Sequence, residues 1–118
     1  SGRSFIHMRD VSTATEKISL SGLNGEIYHI SNPNIVTIRG LVEKICGILS
    51  VNPEDMIEEV GERKGKDQTY SLDDTKLRET LGWSDQISLD QGLEGVIDWV
   101  KSNLTELQQQ PQSYQHIA

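Results

Sequence analysis

The run from Gly61 to Asp67, Gly-Glu-Arg-Lys-Gly-Lys-Asp, gathers three cations, two acids and two glycines into seven residues. Together they make a basic turn, with glycines that free the backbone. The chain as a whole is acidic, with a formal net charge of −7 over 118 residues. Any bound anion must therefore be held by a few placed cations, because counterion release along nucleic acid or an anionic membrane needs a whole face of Lys and Arg. Nucleic acid and membrane are excluded as general partners on that ground. Lys64 and Lys66 have Glu62 and Asp67 as neighbours, so a solvated charge cluster and a ligand contact are both open for them.

Other residue types that do chemistry lack the spacing for it. His7, His29 and His116 have no second ligand three or four residues on, which argues against a zinc site. A Tyr–Lys couple four apart on a helix could lower a phenol's pKa for proton transfer, but Tyr28, Tyr70 and Tyr114 are followed four on by Asn32, Asp74 and Ala118. A dinucleotide needs clustered glycines between a strand and a helix. The pairs Gly61/Gly65 and Gly92/Gly95 do not supply this. No catalytic group, metal site or cofactor seat is therefore expected within these residues. Cys46, alone in the sequence, permits no internal disulfide, lies on an apolar helical stripe and reads as core packing. A reducing cytoplasm is the expected location, as no apolar run approaches the roughly 20 residues of a membrane span.

The elements that must position these groups alternate in period. Residues 4–8 read as a strand, followed by a helix capped by Asp10 and running to about Leu20. Gly22 to Gly25 is turn chemistry, Glu26 to Ile30 reads as a buried strand, and Ser31-Asn-Pro-Asn34 as a loop. Thr37 is expected to cap a helix whose stripe is Ile38, Leu41, Val42, Ile45, Cys46 and Leu49. Asn52-Pro53 opens a short helix, and residues 57–60 read as extended. Tyr70 is assigned to packing and Asp67 to holding the turn. Asp73 or Asp74 caps a helix that buries Leu77 and Leu81 and ends at a left-handed Gly82, with Trp83 as core anchor. Ser88 caps a long helix with Leu89, Leu93, Val96, Ile97 and Val100 on its apolar face. The class is α/β, with too few strands for a full doubly wound sheet. Residues 1–103 are expected to form the domain and the Gln-rich residues 104–118 a tail.

Four segments in order, SGRSFIHMRDV, GEIYHISNPN, GERKGKDQTYSLDDTKLRETLGW and LDQGLEGVIDWV, resemble the C-terminal part of the extended short-chain dehydrogenases that act on nucleotide sugars. These are the NAD-dependent epimerases and dehydratases, with 4,6-dehydratases nearest in pattern. The resemblance covers roughly residues 1–103. It implies a small substrate-binding domain, with few short strands and packed helices, that closes over a nucleotide diphosphate sugar. It also implies an N-terminal Rossmann domain outside these residues that carries NAD or NADP and the catalytic Tyr–Lys pair. The start at Ser1 without Met agrees with a processed chain or a piece of something longer.

By this likeness Arg3 meets the diphosphate, Asn34 lies near the nucleoside, and residues 62–66 (Glu62, Arg63, Lys64, Gly65, Lys66) wrap the nucleotide with Arg63 as the main phosphate contact. A planar guanidinium gives two parallel hydrogen bonds to phosphate, which suits Arg3 and Arg63 as a clamp. Asn34 equally suits a turn that needs Asn for its own hydrogen bonds. Lys64 stands where the family commonly has Pro, and Lys66 replaces the next polar residue, which adds positive charge and removes a fixed φ. The enzyme implied is an NAD(P)-dependent nucleotide-sugar 4,6-dehydratase or epimerase, with these residues inactive on their own. The alternative is a free-standing acidic module that binds a protein through the Trp99 helix and the tail. An apolar face left uncovered would also let copies associate.

Overall fold

In a computed structural model of the chain, which describes residues 1–61 and 64–113, a small three-stranded sheet sits beside a group of helices. Strand β1 (Gly2–Ser4) is followed by α1 (Met8–Ser21), then β2 (Ile35–Thr37), α2 (Ile38–Leu49) and the one-turn α3 (Pro53–Met56). After a loop come β3 (Thr69–Tyr70), α4 (Thr75–Leu81), α5 (Leu89–Ser102) and α6 (Leu104–Gln108). The sheet order is β2-β1-β3, with β1 antiparallel to β2 and parallel to β3. Gly2 stands opposite Thr37 and Thr69, and Arg3 opposite Val36 and Tyr70.

Local chemistry sets most helix ends. The Thr37 hydroxyl accepts from Gly40 N, Asn52 caps α3 with Pro53 at its first position, and Ser88 and Gln91 form a reciprocal capping box on α5. Gly82 ends α4 at φ 66°, a left-handed conformation that costs an L side chain roughly 1–2 kcal/mol.

The core is small. Ala14, Leu77 and Trp83 are buried together, with Ile6, Ile18, Tyr28, Ile30 and Leu81 packed around them, and Cys46 is buried in α2. Trp83 anchors this cluster as its largest buried side chain.

Four expectations are corrected. The first strand ends at Ser4 rather than running through residues 4–8, and its α1 is capped by His7, whose Nδ1 accepts from Arg9 N at 3.0 Å. Asp10 lies inside α1, and its carboxylate instead receives Gln86 N and Ile87 N, both at 3.0 Å. Residues 26–30 form no strand: Tyr28 and Ile30 pack on the core, but Ile27 is 71% exposed and no partner strand lies alongside among the described residues. Tyr70 is half exposed rather than packed inside, because β3 is a sheet edge. The short strand β2 was not visible in the sequence because three residues leading into a helical stripe show no period of their own.

Candidate site around Arg3 and the 64–67 loop

The central position of β1 brings Arg3 and the last residues of the loop before β3 to one end of the sheet. Gly2 N donates to Gln68 O at 2.6 Å, so the loop before β3 enters at the start of β1. Arg3 leans the same way: its Nη1 donates to Gly2 O at 2.8 Å and its Nη2 to Asp67 O at 3.2 Å. Asp67 therefore holds Arg3 through its main chain. Tyr70, opposite Arg3 across the strand pair, places its ring 6.0 Å from the guanidinium carbon. A small pocket of about 90 Å³ lies beside them, lined by Arg3, Ser4, Ser31, Tyr70 and Leu72 among others.

Lys64 is exposed, and Gly65 turns the chain at φ 77° in open space. Lys66 is partly buried and lines a second, open pocket of about 670 Å³ with Ile38, Arg39, Val42, Ile57 and Val60. Arg39 on its rim is shared among Glu43, Glu54 and Glu59. Exposed ion pairs of this kind contribute little to stability. Glu62 and Arg63 lie outside the described residues.

Asn34 sits at the other end. It precedes Ile35, which pairs with Ser4, so three residue steps of β1, roughly 10 Å, separate it from the point where the basic loop enters. Its main-chain N–H donates to Asn32 Oδ1 at 2.9 Å, while Asn32 Nδ2 donates to Phe5 O and Ser4 Oγ donates to Asn32 O at 2.8 Å. Buried Asn32 thus fixes the loop and leaves the Asn34 side chain exposed. The sheet joins Arg3 to the 64–67 loop and sets Asn34 apart, along a line that an extended ligand could follow.

Two residues position this arrangement: Arg78, which the sequence did not single out, and Asp10, for which it gave a different role as a helix cap. Arg78 on α4 donates from Nε to Asp74 Oδ2 (2.6 Å) and from Nη2 to Asp85 Oδ1 (2.7 Å) and Ser31 O (3.2 Å), over the Trp83 ring at 4.8 Å. Burial opposes its charge, but the hydrogen bonds and charges of Asp74 and Asp85 outweigh that and raise its pKa above the usual arginine value. Asp10 is the second, tying α1 to the segment before α5. The spacing of Asp74 and Arg78 four apart on a helix was the available signal for the first. Asp10 had none, since a helix cap and a buried acceptor look alike in sequence.

No protein-family model matches the chain. It is 36% identical to the dTDP-glucose 4,6-dehydratase of Streptomyces niveus over 86% of its own length and 30% of that protein. It is 34% identical to an Arabidopsis thaliana trifunctional UDP-glucose 4,6-dehydratase, 3,5-epimerase and reductase, over 86% of this chain and 15% of that one. Its fold superposes on the dTDP-glucose 4,6-dehydratase DesIV of Streptomyces venezuelae, solved with NAD bound, at a TM-score of 0.83 and 30% identity, covering 90% of this chain and 33% of DesIV. The chain therefore spans a third or less of the length of these relatives. In sequence and in fold it matches the C-terminal part of these dehydratases, which are extended short-chain dehydrogenases.

Proposed function

We propose that this chain supplies the nucleotide-sugar-binding portion of an NAD(P)-dependent 4,6-dehydratase or epimerase. The observation that carries the reading is Arg3, hydrogen-bonded to Asp67 and so fixed beside the Lys64–Lys66 turn on an otherwise acidic protein. Arg3, Arg63, Lys64 and Lys66 supply the charge for a diphosphate, Gly65 the turn, and Glu62 its acidic neighbour. Asn34 takes the far end of the ligand. The names of the relatives, dTDP-glucose and UDP-glucose 4,6-dehydratases, support a nucleotide sugar as the substrate class.

The chain's own residues do not fit the dinucleotide. Gly92 and Gly95 lie inside α5 and Gly61 and Gly65 in the loop before β3, so neither pair forms a pyrophosphate cradle at a strand–helix junction. In this reading the cofactor and the groups that move protons belong to a Rossmann domain in the rest of the enzyme. The compartment proposed is the reducing cytoplasm, in keeping with a free, buried Cys46.

Calorimetric titration with dTDP-, UDP- and GDP-sugars tests the site. Weak binding is expected, and Arg3→Ala or Arg63→Ala should each remove about 1.5–3 kcal/mol, roughly tenfold to a hundredfold in Kd. Variants that bind as well as the unaltered chain would overturn the phosphate role. Cofactor reduction by the chain alone would overturn its restriction to binding.

A further inference from the structure

The basic turn has two flanks, and they are held differently. On the β3 side Gly2 N donates to Gln68 O and Arg3 Nη2 to Asp67 O, so residues 67–68 are tied directly to β1. No such bond from the sheet reaches residues 58–61. Among the described residues, the one polar tie these four make is the ion pair between Arg39 and Glu59.

The Arg39 guanidinium is itself well placed. It belongs to the first turn of α2, which follows β2 without a break, and the neighbouring Ile38 N donates to Ser1 O at 3.1 Å. Nε donates to Glu43 Oε1, one turn on, at 3.2 Å, while Nη1 reaches Glu59 Oε1 at 2.5 Å and Nη2 reaches Glu54 Oε1 at 3.5 Å. Arg39 therefore joins α2, the first turn of α3 and the 57–61 segment, which takes the planar fork of arginine rather than the point charge of lysine. It also lines the open pocket of about 670 Å³ where the flanks converge, Val60 and Gly61 from one side and Lys66 from the other. One flank is thus held on the β2 side of β1 and the other on the β3 side, with Gly2, opposite both Thr37 and Thr69, between them.

We propose that Arg39 is a positioning residue for the basic turn: through Glu59 it fixes the 58–61 flank, so that a nucleoside diphosphate meets a turn already ordered. The proposal rests on the reading above and adds to it a residue that makes no ligand contact of its own. Each of the three guanidinium nitrogens faces a carboxylate, so a phosphate approaching Arg39 would meet negative charge first. Nor does the cluster serve the fold at large. Glu59 is 82% exposed, and pairs between side chains so exposed add little to global stability. Such a pair can still restrict a segment that no other polar contact holds. Ordering that segment beforehand removes conformational entropy that binding would otherwise have to overcome.

Two variants of the 118-residue chain separate positioning from charge. Glu59→Ala removes a negative charge, which through the field alone should tighten an anionic ligand, whereas positioning requires that it weaken binding. Arg39→Met keeps an unbranched stem and removes the donors. Calorimetric titration with dTDP-glucose should show Kd raised about threefold to tenfold in both variants, with the melting temperature unchanged. In the ligand-free chain the backbone-amide NMR order parameters of Glu59, Val60 and Gly61 should fall in both variants from near the rigid value of about 0.85 to about 0.6 or less. Tighter binding by Glu59→Ala, an unchanged Kd in either variant, or unchanged order parameters overturns the proposal. A melting temperature that falls in step with the affinity overturns it too, because the pair would then be part of the fold. Arg3→Ala tests the underlying reading in the same titration. If it weakens binding and the two variants do not, the phosphate role stands and the positioning role falls. If Arg3→Ala binds as well as the unaltered chain, or the unaltered chain does not bind, the phosphate role falls and the proposal with it.

Discussion

Trp83 and Asp10 are joined in both directions across 73 residues of sequence: the indole Nε1 donates to Asp10 O at 3.1 Å, while the Asp10 carboxylate receives the two amides, Gln86 and Ile87, that follow the tryptophan. The segment 83–87 is thereby bound to the first turn of α1, and α5 starts from a fixed point.

Asp10→Asn keeps the size of the side chain but turns an NH₂ toward one of those amides. A partly buried amide left without its charged acceptor costs about 1–3 kcal/mol. Denaturant unfolding followed by Trp fluorescence should show that loss. A change below about 0.5 kcal/mol, the level of an ordinary surface substitution, would mean that the carboxylate does not hold the segment.

Arg78→Lys retains charge but loses the fork that reaches Asp74, Asp85 and Ser31 together. Stability should fall by about 2 kcal/mol, and amide exchange should quicken at Asn32, whose neighbour Ser31 loses its side-chain donor. Unchanged exchange there would show that Arg78 does not support the Asn34 loop.

Acid should loosen α4. The Asp73 carboxyl is held below its usual 3.8 by hydrogen bonds from the side chain and then the main chain of Thr75. The Glu26 carboxyl is held below its usual 4.5 by hydrogen bonding to Lys76 and then by that residue's charge. A folded-state value below the unfolded one adds stability above the unfolded value, and that stability is lost as pH falls through the folded one. The urea midpoint should therefore decline below pH 4.5 and further below 3.8, and less steeply in a Glu26→Gln, Asp73→Asn double variant. Parallel declines would assign the acid response to other carboxylates.

Gly65 and Gly82 share a left-handed backbone but not a role. Gly82→Ala should lower global stability by about 1–2 kcal/mol, because it strains the end of a helix that carries core residue Leu77. Gly65→Ala should leave the melting temperature nearly unchanged and weaken nucleotide binding, because it strains only the exposed turn beside Arg3. A fall in melting temperature as large as that of Gly82→Ala would mark the 64–67 turn as structural.

Helix starts were legible where side chain and backbone meet locally, at Thr37, Asn52 and Ser88, and so was the stop at Gly82. Trp83 as anchor was legible because a large apolar side chain after a helix stop has few places to go. The strand expected at 26–30 was not, because alternating Ile and Tyr report a tendency to pair and say nothing of whether a partner is there. Of the site, the resemblance nominated Arg3 and the 62–66 loop, and the structure places Arg3 against Asp67 and Tyr70. The role of Asp10 and the Arg78–Ser31 contact depend on groups about 50–75 residues away, which no spacing rule reaches, whereas the Asp74–Arg78 pair lay within one.

The parallel pairing of β1 with β3 also orders events in time. Residues 2–3 gain their second neighbour only when residues 69–70 arrive, so a loop of more than 60 residues must close for two residues of pairing. Such a closure is entropically unfavourable and is rewarded late, after helices that form from neighbouring residues. During synthesis α1 and α2 could therefore form before the loop that reaches Arg3 exists. Arg3 is synthesised 64 residues ahead of Asp67, whose carbonyl oxygen holds it.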